Sequence, residues 1–191
     1  MDFSDVRYGV KSALKLLNKK DKHLMLYNLN EQAIAHQLAV KLAKYFAKLN
    51  VDCEYNGNVD ANKGRKEIQM LNDKLGKFKS RRHKPHLPRE EVINLSVTPD
   101  IIIHKRGRNR DNMLIVEIKK STNKNTYAFE FDEEKVKAYT LPEGHSSDKS
   151  FFCYKFGLIL IIGCLEHETD ELIWYENAQE KCRESILKSV V

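Results

Sequence analysis

Two apolar runs, separated by a short polar connection, constrain the fold of this chain more than any other feature. The first run is Ile101–Ile103 and the second is Leu114–Ile118, which contains one acid. Each has the length and the β-branched composition of a strand, and residues 105–112 between them are polar and contain a glycine. Such a connection is typical of a hairpin loop. The sequence therefore predicts an antiparallel hairpin.

The register of this hairpin decides which charged residues meet. If Lys105 pairs with Asn112, then Asp100 lies opposite Glu117 at the open end of the hairpin. Side chains alternate between the two faces of a strand, so Glu117 and Lys119 share one face, and Leu114, Val116 and Ile118 share the other. Folding does not require two acids and a lysine at one place. We therefore expect a functional site there.

Length and composition favour a single soluble domain spanning residues 1–191, since 191 residues are enough for one well-packed core. No apolar run approaches the roughly 18 residues that a membrane span needs. The start of the chain lacks the basic and apolar segments of a signal peptide. The four cysteines show neither CxxC pairs nor zinc-ligand spacing. We expect a cytoplasmic protein with reduced cysteines, no membrane contact and no structural zinc.

The net charge of +6 is unevenly distributed. Residues 61–94 hold ten Lys or Arg against four Asp or Glu, and residues 99–124 hold seven against three. Residues 125–191 instead hold seven basic residues against thirteen acids. Basic segments on both sides of the two hairpin acids suggest a polyanionic partner, with nucleic acid as the first candidate. A lysine-rich face that is merely solvated would have the same composition.

Apolar periodicity predicts the remaining elements. The predicted helices are residues 4–19, 30–49, 63–75, a short helix capped by Asp132, and 177–190. The other predicted strands are residues 51–56, 154–165 and 172–175, of which 158–162 are apolar throughout and typical of a strand buried on both faces. Residues 60–96 form a basic insertion that ends in a mobile loop. The predicted fold is an α/β sandwich around a mixed sheet.

The hairpin residues also carry a resemblance to a known family. Pro99-Asp100, followed after sixteen residues by Glu117-Ile118-Lys119, is similar to the motif of the PD-(D/E)XK nuclease superfamily in its E-x-K form. The resemblance implies a restriction-endonuclease-like three-layer sandwich, with a central mixed β-sheet flanked by helices. Its core would be residues 30–163, with residues 60–96 inserted. In many members an acid on the first core helix joins the metal site, and Glu31 occupies that place.

The chemistry that this resemblance implies is Mg²⁺-dependent hydrolysis of phosphodiester bonds, with Mn²⁺ as a substitute. Asp100 and Glu117 would hold the metal, because Mg²⁺ prefers carboxylate oxygens, and the Ile118 carbonyl would be a further ligand. Lys119 would orient or help to deprotonate the attacking water, or offset charge on the phosphate. Glu31 would be an accessory acid and ligand. The predicted protein is thus a DNA endonuclease.

Basic residues on the insertion, the hairpin tip and the end of the second hairpin strand are candidates for phosphate contacts. They are Lys77, Lys79, Arg81, Arg82, Lys84, Lys105, Arg106, Arg108, Arg110 and Lys120. Contacts of this kind give salt-sensitive and largely sequence-independent affinity. Tyr55, Asn56 and Lys135 are expected to border the cleft. The expected partner is nucleic acid, with DNA first, and a homodimer is left open.

Several alternatives stay open on the sequence alone. Asp100 could cap a strand entrance while Glu117 and Lys119 form an exposed pair at a sheet edge. Glu31 could merely complement the dipole of its helix. The chain could be an inactive nucleic-acid-binding module on the same fold. It could also be an assembly subunit that uses its acidic C-terminal third against a basic partner.

Overall fold

A computed structural model describes residues 1–57, 66–78, 82–108, 111–142, 152–165 and 168–188. Five helices and eight strands occur in these ranges. The helices are α1 (Phe3–Lys20), α2 (Lys22–Leu26), α3 (Glu31–Tyr45), α4 (Asn72–Lys77) and α5 (Thr126–Tyr139). The strands are β1 (Asn50–Cys53), β2 (Glu67–Leu71), β3 (Val92–Ser96), β4 (Ile101–His104), β5 (Leu114–Lys120), β6 (Phe156–Ile162), β7 (Asp170–Glu176) and β8 (Gln179–Ile186).

A six-stranded mixed sheet with the order β1-β4-β5-β6-β7-β8 organises the fold. The β5–β6 pair is parallel, and α5 makes the crossover between these strands. The other neighbours in this sheet are antiparallel. Strands β2 and β3 form a separate two-stranded sheet. The prediction of an α/β fold around a mixed sheet is confirmed.

Helices lie on both faces of the six-stranded sheet. Helices α1 and α3 bury apolar residues such as Leu14 and Leu38 in one core with Val116 and Ile118 of β5. On the opposite face, Val136 of α5 packs with residues of β6 and β7. The small sheet shares a further core with β4 and β5. Strand β5 is therefore covered on both faces.

The predicted hairpin is present with the predicted register. Ile101 pairs with Val116 and Ile103 with Leu114, and continuation of this ladder sets Asp100 opposite Glu117. Strand β5 lies between β4 and β6, and Glu117 is only 2% exposed. The alternative of an exposed acid–lysine pair at a sheet edge is therefore wrong.

The predicted helix over 177–190 is wrong, because residues 179–186 form strand β8 on the edge of the sheet. Asn177 and Ala178 both have positive φ, at 52° and 61°. A two-residue turn with positive φ at both positions matches the twist of a hairpin, so β8 folds back antiparallel to β7. Glu184 then accepts hydrogen bonds from Trp174 of β7 and Arg7 of α1.

The prediction for the basic insertion is also wrong in its described part. Residues 67–71 form β2 rather than a helix, and only the short α4 follows. Ile68 and Met70 alternate with exposed positions and pair with β3, so a period of two prevails over the apparent helical spacing. The segment expected to be a mobile loop holds β3, and Asn72 donates hydrogen bonds to three of its carbonyls, those of Lys84, Leu87 and Pro88.

Asp132 does not begin a helix. The N-cap of α5 is Asn125, whose side chain accepts a hydrogen bond from the N–H of Ala128, and the helix starts at Thr126. Asp132 therefore lies in the second turn of α5, where it is buried at 6% exposure. This correction moves a carboxylate from a helix end into the interior of the protein.

The four cysteines all fall in described segments, and none of them forms a disulfide there. Cys53 lies in β1 as expected, whereas Cys164 lies just beyond the end of β6. Of the helices in the described part of the chain, none is both long enough and apolar enough to cross a lipid bilayer.

Candidate active site

Asp100 and Glu117 are held next to one another by the hairpin. The Asp100 carboxylate accepts a hydrogen bond of 2.7 Å from the backbone N–H of Ile118, one residue beyond Glu117. Burial raises the pKa of Asp100, while this hydrogen bond and the charge of Lys135 oppose the rise. The carboxylate is thus fixed in position by the backbone of the neighbouring strand.

Glu117 is buried with one of its two carboxylate oxygens unsatisfied. Its Oε2 lies 2.7 Å from the ammonium of Lys135, whereas its buried Oε1 has no hydrogen-bond partner among the described residues. Burial raises the pKa of Glu117 well above its ordinary value, against the charge of Lys135, and the nearby Asp100 and Asp132 raise it further. An unpaired buried carboxylate oxygen is costly. This atom is therefore poised to accept a ligand.

Lys119 and Lys135 meet at a single carboxylate. The Lys119 ammonium lies 2.6 Å from Oδ2 of Asp132, and the Lys135 ammonium lies 3.0 Å from Oδ1. Burial tends to lower the pKa of Lys119, but the ion pair with Asp132 outweighs it, aided by Glu31 and Asp100, and the pKa is raised. The pKa of Lys135 is raised too, because Glu117 and Asp132 outweigh its burial. Both lysines are therefore protonated at neutral pH.

Glu31 lies in the first turn of α3 and reaches the end of β5. Its Oε1 accepts a hydrogen bond of 3.2 Å from the backbone N–H of Lys120. Its charge also raises the pKa of Lys119, which places it within electrostatic range of the cluster. Helix α3 starts here because the Asn30 side chain caps it by accepting from the N–H of Ala33. Glu31 thus joins the charges of the hairpin, and dipole compensation alone does not describe its place.

Two clefts border this charge cluster, which comprises Glu31, Asp100, Glu117, Lys119, Asp132 and Lys135. Asp100 lines a cleft of about 290 Å³ between α3 and the end of β1, together with Gln32, Ala35, His36, Cys53 and Glu54. Glu31 lines a second cleft of about 460 Å³ at the end of β5. Asp100 and Glu31 are thus reached from solvent, each through its own cleft.

Tyr55 and Asn56, expected to border the cleft, line neither of these two clefts. The Tyr55 ring packs on His104, with 4.9 Å between ring centroids, and Asn56 donates to Ser96. His104 ends β4 at the side away from Asp100. The third residue of that group, Lys135, is inside the charge cluster itself.

The hairpin-tip cations lie at the opposite end of β4 from the acids. Lys105 is five residues along an extended strand from Asp100, which corresponds to roughly 15 to 20 Å. Arg106 is committed to Asp52, toward which its Nε donates at 2.8 Å. Arg108 lies 3.8 Å from Asp111. These residues are exposed, but they do not surround the acids closely.

The insertion cations and Lys120 lie nearer to the charge cluster. Arg82 stacks over Phe131, the residue before Asp132, at 5.9 Å. Lys77 is exposed and pairs with Asp73, and the Lys84 side chain is exposed. Lys120 is the last residue of β5, directly after Lys119. The remaining candidates, Lys79, Arg81 and Arg110, lie outside the described residues.

Sequence reasoning missed the role of Asp132 and gave Lys135 only a border position. Their spacing of three residues brings both side chains to one face of α5, toward Glu117 and Lys119. The sequence signal for these two residues was an acid and a lysine three positions apart, in the helix that follows the E-x-K strand. It was obscured because Asp132 resembled an N-cap followed by two acids.

The chemistry of the donor set fits a divalent cation, although Lys135 now pairs with one oxygen of Glu117, and Asp100 and Glu31 each accept from a backbone N–H. Asp100, Glu117 and Glu31 offer hard carboxylate oxygens, and the orphaned Oε1 of Glu117 is an available one. In the described ranges, no three His, Cys, Asp or Glu side chains are grouped closely enough to hold a metal ion. The metal contact of the Ile118 carbonyl stays a prediction.

No protein-family model matches the sequence, no curated protein matches it, and no solved structure matches the fold. The resemblance to the PD-(D/E)XK superfamily therefore rests on the motif residues alone.

Proposed function

We propose that this protein is a metal-dependent nuclease of the PD-(D/E)XK type, with DNA as the first candidate substrate. One observation carries the proposal: Glu117, opposite Asp100 in the hairpin, is buried with a carboxylate oxygen that has no partner in the described structure. A chain gains nothing in stability from such an atom. In a site that holds a cation next to a phosphodiester, this oxygen would be a ligand of the cation.

The order of elements supports this proposal. From α3 to β6 the six-stranded sheet and its helices follow the order helix, three strands, helix, strand, with β2, α4 and β3 inserted. This is the order of the restriction-endonuclease-like core. The motif acids fall at the open end of the β4–β5 hairpin, and Glu31 is in the first turn of the first core helix.

Residues of the charge cluster would have separate roles in the proposed reaction. Asp100, Glu117 and Glu31 would hold Mg²⁺, which when bound lowers the pKa of a water and offsets phosphate charge. Lys119 is held protonated by Asp132, so it donates to the phosphate oxygens as their charge develops and does not act as a base. Asp132 acts through Lys119 and is a positioning residue. Displacement of Lys135 from Glu117 would accompany loading of the site.

The test is a cleavage assay on single-stranded, duplex and branched DNA and on RNA, with Mg²⁺, Mn²⁺ or EDTA. We expect cleavage that needs the metal and falls at least a hundredfold in Lys119→Ala. Lys124→Ala is the matched control, since this exposed lysine lies on the loop after β5 and should retain activity. Absence of metal-dependent cleavage on every substrate, or full activity of Lys119→Ala, would refute the proposal.

One observation favours the second candidate, an inactive nucleic-acid-binding module. Lys135 and Lys119 already neutralise much of the acid charge, so the cluster is tolerated without a metal. A module of this kind would bind nucleic acid in EDTA with a strong salt dependence. Its affinity would be unchanged in Asp100→Asn, and it would cleave nothing.

A further inference from the structure

The second cleft beside Glu31 is built almost entirely from polar side chains. It lies between the turn that precedes α3 and the loop that follows β5. The lining residues are Asn28, Asn30, Glu31, Lys120, Thr122 and Asn123, and we call this site the asparagine cleft. Three amides in one small cleft are more than the two connections need for their own turns.

The hydrogen bonds of these amides fix which end of each faces the cleft. The Asn30 oxygen accepts from the N–H of Ala33 at 2.8 Å, and the Asn123 oxygen accepts from the N–H of Asn125 at 3.1 Å. Backbone N–H groups only donate, so an oxygen must face each of them. The Asn28 oxygen accepts from the Thr122 hydroxyl at 3.2 Å. Within the described residues, none of the three NH₂ groups donates a hydrogen bond to protein.

The cleft also carries a fixed positive charge. The Lys120 ammonium donates to the backbone carbonyls of Asn28 and Leu29 at 3.4 and 3.2 Å, so the turn before α3 is tied to the end of β5. An ammonium has three hydrogens and retains one for a ligand. The one acid of the cleft, Glu31, accepts from the Lys120 N–H and lies within range of Lys119. The three NH₂ groups and the third Lys120 hydrogen remain as donors, whereas the Thr122 hydroxyl has given its hydrogen to Asn28 and can only accept.

An exposed aromatic residue directly precedes the first lining residue of the cleft in the chain. Tyr27 directly precedes Asn28 and is 77% exposed, with Leu26 and Leu29 also exposed beside it. Asn28 has a φ of 51°, which belongs to the tight turn that carries this ring. An aromatic side chain on an ordered turn, next to a group of donors, can stack a nucleobase.

We propose that the asparagine cleft binds a backbone phosphate of a single strand, next to the scissile one, with the adjoining base stacked on Tyr27. The inference rests on the proposed nuclease function and names a subsite for its substrate. Three amide NH₂ groups and an ammonium fit a phosphate, whose oxygens only accept, better than a base edge, which on most bases presents donors as well. The cleft shares Glu31 with the charge cluster, so a strand bound there leads directly to the acids.

The test measures binding of short fluorescent oligonucleotides in EDTA, so that it does not depend on cleavage. The variant is Asn28→Gly with Asn123→Ala, because glycine keeps the positive φ and the two changes remove two of the three NH₂ groups. They also remove the amide oxygens that accept from Thr122 and from the N–H of Asn125. Asn94→Ala, an exposed asparagine on β3, is the matched control. We expect the double variant to bind a single strand roughly tenfold to a hundredfold more weakly, and the control to match wild type. Thermal melting checks that all variants are folded.

Three further comparisons separate the parts of the inference. Asn30→Asp keeps the helix cap but replaces a donor by a charged oxygen, so it should weaken binding even more. Tyr27→Ala should weaken binding of a single strand and leave a duplex unaffected. Oligonucleotides with and without a 5′ phosphate distinguish a terminal phosphate from an internal one, and we expect equal affinity for an internal site.

Unchanged affinity in the double variant, or no binding by wild type, would overturn the inference. Stronger binding of the 5′-phosphorylated strand would show that the cleft does not bind an internal phosphate. Unchanged binding of a single strand by Tyr27→Ala would show that no base stacks on Tyr27. Loss of binding in the double variant without any metal-dependent cleavage by wild type would refute the nuclease and retain the cleft. The two proposals can therefore fail separately.

Discussion

The Lys119 ammonium and the Asp132 carboxylate lie 2.6 Å apart, across the contact between β5 and α5. The same carboxylate binds Lys135, which in turn binds Glu117. Burial alone would lower the pKa of Lys119, yet this pair raises it. Asp132 therefore offsets the burial of Lys119, the lysine of the proposed reaction centre, and keeps its pKa raised.

Replacement of Asp132 should show which charge state of Lys119 cleavage requires. In Asp132→Asn the pKa of Lys119 falls, because burial remains and its main counter-charge is gone. We expect the alkaline limb of the kcat/KM profile to move to lower pH and the neutral rate to fall about tenfold. Glu133→Gln, on the same helix, is the control. Faster cleavage in Asp132→Asn would show that Lys119 works as a neutral base.

Removal of Lys135 should destabilise the metal-free protein. Lys135→Met leaves Glu117 without its ion pair in a buried site, and such a loss costs about 3–5 kcal/mol. Urea unfolding at pH 7 measures it. Lys137→Met is the matched control, since that lysine is 34% exposed and pairs with surface acids, and its loss should cost under about 1 kcal/mol. Equal losses would contradict a special role for Lys135. Added Mg²⁺ should restore part of the stability of Lys135→Met.

Glu117→Gln should stabilise the protein while removing the response to metal. The raised pKa of Glu117 means that the folded state disfavours its charge, so this residue costs stability as pH rises above the unfolded value, roughly 4.3. Glutamine avoids this cost, and we expect a Tm higher by about 2–4 °C at pH 7 and no gain at pH 4.

Added Mg²⁺ should distinguish Glu117→Gln from wild type. Mg²⁺ should raise the Tm of wild type and leave Glu117→Gln unchanged, since ligand binding to the folded state stabilises it. Glu130→Gln, an exposed position on α5, should behave as wild type in both assays. A lower Tm for Glu117→Gln at pH 7 would show that its ion pair outweighs its burial.

The edge strand β8 supplies a prediction that tests the corrected C-terminal segment. Hydrogen bonds from Arg7, Lys11 and Trp174 lower the pKa of Glu184 to about 2, against its partial burial. Its contribution to stability is present above the unfolded pKa and is lost as pH falls toward 2. Glu184→Gln should therefore cost about 1 kcal/mol at pH 7 and nothing at pH 2, by urea unfolding. Glu180→Gln, whose partner Arg183 is exposed, should cost less.

The elements that were predicted correctly are those that local residue patterns determine. The hairpin, its register and the buried strand β6 follow from apolar alternation and from continuous apolar runs, and the structure confirms them. The same register brought Asp100 and Glu117 together before any tertiary information was used. The role of Glu31 was predicted through the family resemblance, because its own helix does not show that it reaches β5.

The errors share a cause, which is that long-range pairing overrides local spacing. Strand β8 has few apolar residues, and its pairing with β7 makes it a strand. Strand β2 contains apolar residues that also fit a helix, and pairing with β3 decides between the two. Asp132 was misplaced because the true cap, Asn125, lies seven residues earlier in the sequence.

The parallel pairing of β5 with β6 has a consequence for synthesis of the chain. When synthesis reaches residue 135, all six residues of the charge cluster are present in the chain, whereas β6 begins only at Phe156. Until β6 arrives, β5 is an unpaired edge rich in branched apolar residues, the kind of strand that associates with other chains. Glu117 and Lys119 then put two charges on that edge, and charges directed inward from an edge strand oppose such association. The residues proposed for phosphodiester cleavage should thus also protect the unfinished protein from aggregation.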